Sequence, residues 1–323
     1  MPDPSPGPVP ARLRRGARAL VVVVCAPLAA CASPAGRGEP APAVPETFAP
    51  GVISDEREQW RLTFTPDGAT AYFAASDGFF PVTRRATIHV SHRRADGWSA
   101  PEVAPFSGTH SDIDPAVSPD GRRLYFSSIR PVDGVARTDV DIWMVERTGS
   151  GWGEPVRLGP EVNTPLDELY PSVSDDGTLY FASGPPAPAA GRHWDIFRAP
   201  RRGAGFAPRE RLGAGVNREP RADEPHPQAA WEFNPEISAD GRTLVFASLR
   251  PGGHGLGDLY VSHLRDGAWT PARNLGPVVN TAADEYHPTL SRDGAWLYFA
   301  RRVSRSGDFM RVPTRSVPAL AAP

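Results

Sequence analysis

The stretch that decides the fold is residues 284–300, DEYHPTLSRDGAWLYFA. Its centre, Asp293-Gly294, supplies the positive φ angles of a tight turn, and apolar residues alternate on both sides, so the stretch predicts a β-hairpin. The same block recurs upstream. Ser118-Pro119-Asp120-Gly121 precedes LYFSS, Ser174-Asp175-Asp176-Gly177 precedes LYFAS, and Ser238-Ala239-Asp240-Gly241 precedes LVFAS. Thr65-Pro66-Asp67-Gly68 before AYFAA is a divergent first copy. The five turn glycines are spaced 53, 56, 64 and 53 residues apart, a period that belongs to repeat architectures.

Further landmarks keep step with the hairpin. A proline stands six positions before the glycine at Pro115, Pro171, Pro235 and Pro288, with Leu62 in the first copy. A carboxylate stands nine before it at Asp112, Glu168, Glu232 and Glu285. Asp141, Asp195, Asp258 and Asp308 each open a third apolar run, and Thr87 takes that place in the first copy. Eleven residues after the opening position comes an aromatic: Trp98, Trp152, Phe206 or Trp269. A short segment then ends near Leu158-Gly159, Leu212-Gly213 or Leu275-Gly276. Each unit therefore predicts four short strands, the content of one propeller blade.

The fold expected is all-β, a β-propeller of five four-stranded blades over residues 45–323, with six as the alternative if the insertion before Gly241 hides an eroded unit. The last copy lacks its fourth strand. The segment from Phe48 to Ser54 resembles the blade end from Leu275 to Thr281, so an N-terminal strand is expected to complete the last blade and remove two exposed sheet edges.

These residues resemble the WD40-like propeller repeat of the TolB C-terminal type, which is found in many bacterial envelope proteins. The resemblance covers roughly residues 45–315 and implies a repeat class, not one activity. TolB also carries an N-terminal α/β domain that the stretch before these repeats does not accommodate, so TolB's own role is not expected here.

The N-terminus has a different character. Arg12, Arg14, Arg15 and Arg18 precede an apolar run from Ala19 to Leu28, which is too short to span a bilayer and reads as a signal peptide over residues 1–30. Leu28-Ala29-Ala30-Cys31 resembles the lipobox of bacterial lipoproteins, which implies cleavage before Cys31 and lipid attachment to it. Cys25 lies in the discarded segment, leaving no internal disulfide. Residues 31–44, rich in Pro and Ala, read as a tether. Ala32 follows the cysteine where an aspartate would mark inner-membrane retention. The expected location is therefore the cell envelope, lipid-anchored to the outer membrane and facing the periplasm.

Composition narrows the chemistry. The chain has 323 residues, a formal charge of −2 and no lysine, which excludes Schiff-base and P-loop lysines. No long basic run follows the N-terminus, so no nucleic-acid partner is expected. Dinucleotide, P-loop, zincin and nucleophile-elbow motifs do not occur, the eight histidines are scattered, and no cofactor or metal is expected. The Asp-Gly turns resemble sialidase Asp boxes only loosely and read as structural. Rotational repetition is expected to gather Asp112, Asp114, Glu168, Glu232 and Glu285 at one channel rim, with Arg130 and Arg250 as counter-charges. The bland reading of the same residues is local acid–arginine pairing within blades.

The function expected is recognition: a monomeric, non-catalytic envelope lipoprotein whose propeller binds a protein or glycan. A glycan-active hydrolase and a purely structural tether are the alternatives. An enzyme needs unlike carboxylates with separated pKa values, whereas this chain repeats one acid from copy to copy.

Overall fold

The computed structural model describes residues 44–149, 151–185, 193–303 and 307–321. The segment expected to be a signal peptide, the expected lipidation site Cys31 and all of the expected tether but Val44 lie outside the described residues. Five four-stranded antiparallel blades close into a ring. From axis to rim, blade 1 has strands Glu58–Phe64, Thr70–Ser76, Thr87–Arg94 and Glu102–Val103. Blade 2 has Ser111–Val117, Arg123–Ile129, Asp141–Thr148 and Val156–Arg157. Blade 3 has Asp167–Val173, Leu179–Gly184, Asp195–Ala199 and Glu210–Arg211, and blade 4 has Glu232–Ile237, Thr243–Ser248, Asp258–Arg265 and Arg273–Asn274. Blade 5 has Asp284–Leu290, Trp296–Arg302 and Gly307–Pro313, and its outer strand is Glu46–Thr47.

The hairpins form for the reason the repeat predicts. In blade 5 the Ser291 hydroxyl donates to Asp293 at 2.5 Å, the Ala295 amide donates to the same carboxylate oxygen at 3.0 Å, and Gly294 sits at φ 68°. The other four turns repeat these bonds through Asp67, Asp120, Asp176 and Asp240. These aspartates are part of the turn, as the structural reading had it.

The aromatic landmark joins neighbouring blades. A second-strand tyrosine packs edge-on against the aromatic of the next blade: Tyr72 on Trp152 at 6.1 Å, Tyr125 on Phe206 at 6.3 Å, and Tyr180 on Trp269 at 6.3 Å. Each such contact adds roughly 0.5–1.5 kcal/mol beyond its buried area. Between blades 4 and 5 that position is Val245, and Val317 and Ala319 from the C-terminal turns join its core cluster.

Closure follows the expected route. Glu46 pairs with Arg311 and Thr47 with Met310, and the Phe48 amide donates to Phe309 O at 2.7 Å. Phe48 is 4% exposed and contacts Phe64, Trp98 and Tyr298, so it seals the seam between blades 5 and 1. The insertion between Asn217 and Glu232 forms turns and no strand, so five blades is the correct count.

Candidate functional site

A blade is a sheet standing radially in the ring. Its innermost strand turns its backbone edge to the axis and its side chains sideways, toward the neighbouring blades. A side chain reaches the axis only where the strand departs from regular pleating. Every inner strand here does so once. The register slips by one residue between Trp60 and Leu62, Ile113 and Ala116, Leu169 and Ser172, Phe233 and Glu236, and Tyr286 and Thr289. Each slip is a β-bulge, which re-aims a side chain.

One residue in each bulge has a left-handed backbone: Arg61 (φ 34°), Asp114 (56°), Tyr170 (62°), Asn234 (51°) and His287 (50°). They occupy one repeat position, seven before the turn glycine. A non-glycine residue in this conformation costs about 1–3 kcal/mol, and such strain clusters at functional sites. The surrounding landmarks repeat, yet this position holds five chemically different polar side chains.

Contacts between non-adjacent blades place four of these five on the axis, and Asn234 joins them through its neighbour blade 5. His287 Nδ1 of blade 5 lies 3.6 Å from Asp114 Oδ1 of blade 2. The Tyr170 ring of blade 3 lies 5.5 Å from the His287 ring. Arg61 of blade 1 donates to Pro235 O at 2.9 Å and to Glu236 at 2.5 Å, both in blade 4. Asn234 Nδ2 lies 3.2 Å from His287 Nδ1. Asp114 is 0% exposed, and neither of its carboxylate oxygens makes a well-formed hydrogen bond, although the Tyr170 backbone amide lies near enough to favour its charged form. Burial pushes Asp114 up to about 7, while burial together with the Arg61 charge holds His287 well below the ordinary imidazole value.

The structure gives the other expected rim residues a different place. Asp112, Glu168, Glu232 and Glu285 are all fully buried, each inside a clamp of its own blade. Asp112 takes Arg130 at 3.0 Å and Ser128 at 2.6 Å, and Glu232 takes Arg250 at 3.0 Å and Ser248 at 3.1 Å. Glu168 takes Arg209 at 2.9 Å and Ser183 at 2.8 Å, and Glu285 takes Arg301 at 2.8 Å. Arg130, Arg250 and Arg301 also donate to Phe106 O, Val216 O and Val279 O in the loop leading from the preceding blade. Where one rim of converging carboxylates was expected, the structure holds Asp112, Glu168, Glu232 and Glu285 in four separate clamps, because their side chains point between blades. Burial raises Glu168 to about 6 and Glu232 to about 7 despite their arginines. Of the named acids, Asp114 alone reaches the axis.

Arg61, Tyr170, Asn234 and His287 escaped the sequence reading, as did Arg209, Arg301 and Glu236. A signal existed for most of the axial set: the residue just before the recurring proline, the variable position of an otherwise regular block.

Below the axial ring, toward the hairpin turns, the side chains two positions on cap the inner-strand edges of the next blade. Thr63 receives the Val117 amide, Ser172 the Ile237 amide, and Glu236 the Leu290 amide. Beneath this floor a cavity of about 730 Å³ opens on the turn face. Phe64, Val117, Val173, Ile237 and Leu290, again one repeat position, form its apolar collar. One side extends along the seam of blades 5 and 1 past Trp98, Trp296, Arg93 and Arg311. A groove of about 1290 Å³ on the opposite face is bordered by Arg57, Arg84, Arg85 and Arg137. Three of these are neutralised by Asp55, Asp167 and Asp139.

No family model and no curated protein matches the chain. Solved structures similar to it include an α-L-arabinofuranosidase from Lactobacillus brevis, with 15% identity, 83% of this chain and 92% of that chain covered, and a TM-score of 0.51. TolB from Acinetobacter baumannii gives 17% identity, coverage of 80% and 54%, and a TM-score of 0.47. A protein described as TolB from Agrobacterium tumefaciens gives 19%, coverage of 77% and 71%, and 0.47. The chain spans about half the length of the Acinetobacter protein. At these identities the likenesses concern the fold, and function has to be argued from the site. Among the described residues no helix is long and apolar enough to cross a membrane.

Proposed function

We propose that this chain is a non-catalytic recognition protein of the cell envelope, lipid-anchored through Cys31, which binds a protein or glycan partner through the turn-face mouth of its channel. The observation that carries this reading is the cavity of about 730 Å³, within the range of ligand pockets, with an apolar collar and an arm of tryptophans and arginines. Aromatic rings and arginine are the side chains that dominate recognition surfaces. Arg93 is exposed and makes no ion pair among the described residues, so its charge is free for a partner. The unlike acids on the axis, Asp114 and Glu236, are both buried, and Glu236 is held by Arg61 and Ser172, which favours recognition over hydrolysis.

The test is crosslinking in cells followed by affinity capture, comparing the parent with Arg93→Glu and Val173→Arg, both at the cavity. Loss of the captured protein or glycan in both variants, with unchanged melting, is the expected result. Full recovery in both would remove the cavity from consideration. Cys31→Ser separately reports the anchor: membrane fractionation should show the protein released, and retention would contradict lipidation.

A further inference from the structure

Once Asp114 is ionised, the charges on the axis do not balance within the protein. Arg61 and Glu236 neutralise each other. His287 sits in a site that disfavours its protonated form, with Asn234 Nδ2 at its Nδ1. That leaves Asp114, fully buried and facing the axis, with no well-formed hydrogen bond to either oxygen and only the Tyr170 backbone amide and His287 Nδ1, at 3.6 Å, beside it. A buried carboxyl group in this state is neutralised either by a proton or, once ionised, by one compensating positive charge.

The side of the ring away from the hairpin turns determines what kind of charge. Trp60, Tyr170, Phe233 and Tyr286 come from inner strands of four different blades, and Phe79 comes from the loop after the second strand of blade 1. Trp60 and Tyr170 each place a ring centroid 5.5 Å from His287. Tyr170 contacts Phe233 at 6.1 Å, Phe233 contacts Tyr286 at 5.7 Å, and Trp60 contacts Phe79 at 5.7 Å. Tyr170, Phe233, Tyr286 and Phe79 are half-buried, so the outer part of this aromatic cluster meets solvent. One of its rings already receives a cation: the Arg302 guanidinium lies 4.5 Å from the Phe79 centroid. Aromatic faces attract organic cations. Among the described residues no group of three His, Cys, Asp or Glu side chains is placed to hold a metal, so the ring does not have a metal-ligand set.

We propose that Asp114 is the acceptor for the primary ammonium group of an alkylamine, whose carbon chain passes through the aromatic mouth formed by Tyr170, Phe233, Tyr286, Trp60 and Phe79. The ammonium supplies the one charge that the ring lacks and donates hydrogen bonds to the free carboxylate oxygens. The stem packs against the rings, as lysine stems do on apolar surfaces. This site lies on the other side of the Arg61–Glu236 pair from the turn-face cavity, and it stands whether or not that cavity binds a partner.

The probe is n-butylammonium chloride, compared with potassium chloride at matched ionic strength, buffered above the Asp114 pKa of about 7. Calorimetry and thermal melting are measured on the full chain. The expected result is saturable binding and a rise in Tm with butylammonium beyond that with potassium. Asp114→Asn should weaken the affinity roughly tenfold or more, the scale of a charge-assisted hydrogen bond. Phe233→Leu should weaken it about twofold to fivefold while Asp114 stays in place. Equal effects of the two salts would overturn the proposal, as would undiminished amine binding in Asp114→Asn. A third overturning result is a pH-dependent stability that disappears in Asp114→Asn without any amine effect, which would make a proton the sole neutralising charge.

Discussion

Arg61 of blade 1 and Glu236 of blade 4 form an ion pair across the channel, with the arginine side chain 2% exposed. The pair joins two blades that are not neighbours in the ring and separates the turn-face cavity from the axial Asp114. Its carboxylate also accepts from Ser172 and from the Leu290 amide, so blades 1, 3, 4 and 5 meet at one group.

Breaking that pair from one side leaves a buried charge without its partner. Arg61→Met should lower the unfolding free energy by about 3–5 kcal/mol, whereas the double variant Arg61→Met/Glu236→Leu should recover a large part of the loss. Urea titrations of the two variants decide it. Equal destabilisation in both would mean that the strut matters through packing and not through charge.

The pH dependence of stability follows from Asp114. Its folded-state pKa of about 7 lies above the ordinary carboxylate value, so the native state holds a proton that the unfolded chain releases. The associated stability is complete at pH values below the unfolded pKa, declines by about 1.4 kcal/mol per pH unit as pH rises toward the folded value, and is lost above it. Glu168 and Glu232, raised by burial, contribute slopes of the same sign. Asp114→Asn should therefore flatten part of the decline and be more stable than the parent at alkaline pH. An unchanged pH profile in chemical denaturation would contradict the buried, unpaired state of this carboxyl group.

The clamp glutamates should behave as structural groups. Replacing Glu168, Glu232 and Glu285 together by glutamine removes the carboxylates facing Arg209, Arg250 and Arg301. The expected outcome is a lowered Tm and an altered near-ultraviolet circular dichroism spectrum, at a cost of several kcal/mol, because buried pairs lose their counter-charge. A triple variant that melts with the parent would return these residues to the list of candidate ligand groups.

Ring closure depends on one ring in particular. Phe48→Ala empties a site enclosed by Phe64, Trp98 and Tyr298, and should cost about 3–5 kcal/mol. Deleting residues 45–54 should cost more, since Glu46–Thr47 and the bonds to Phe309 go with it. Thermal melting of the two variants in parallel tests the order, and a deletion that melts like the parent would rule out N-terminal closure.

The architecture was legible because hairpins are local. Asp293-Gly294 needs only its own serine and the amide two residues on to make its turn, and five such blocks at regular spacing leave little besides a propeller. Closure was legible for a related reason: the segment from Phe48 to Ser54 carries the apolar pattern of a blade end. The local pairing of acids and arginines was also within reach as the bland reading, although Arg209 and Arg301 were not named as partners.

The sequence by itself determined the number of repeats, the strand content of each blade and the strand that closes the ring, since all three follow from short-range turn chemistry and side-chain alternation. Only the tertiary structure decided which repeated position faces the axis. That choice depends on five bulges, each of which turns one side chain out of the lateral direction imposed by a radial sheet. Glu285 and His287 stand two residues apart on one strand, yet the first is enclosed with Arg301 and the second meets Asp114 from a non-adjacent blade. The bulge between Tyr286 and Thr289 separates their fates, because its left-handed backbone at His287 redirects the side chain into the channel.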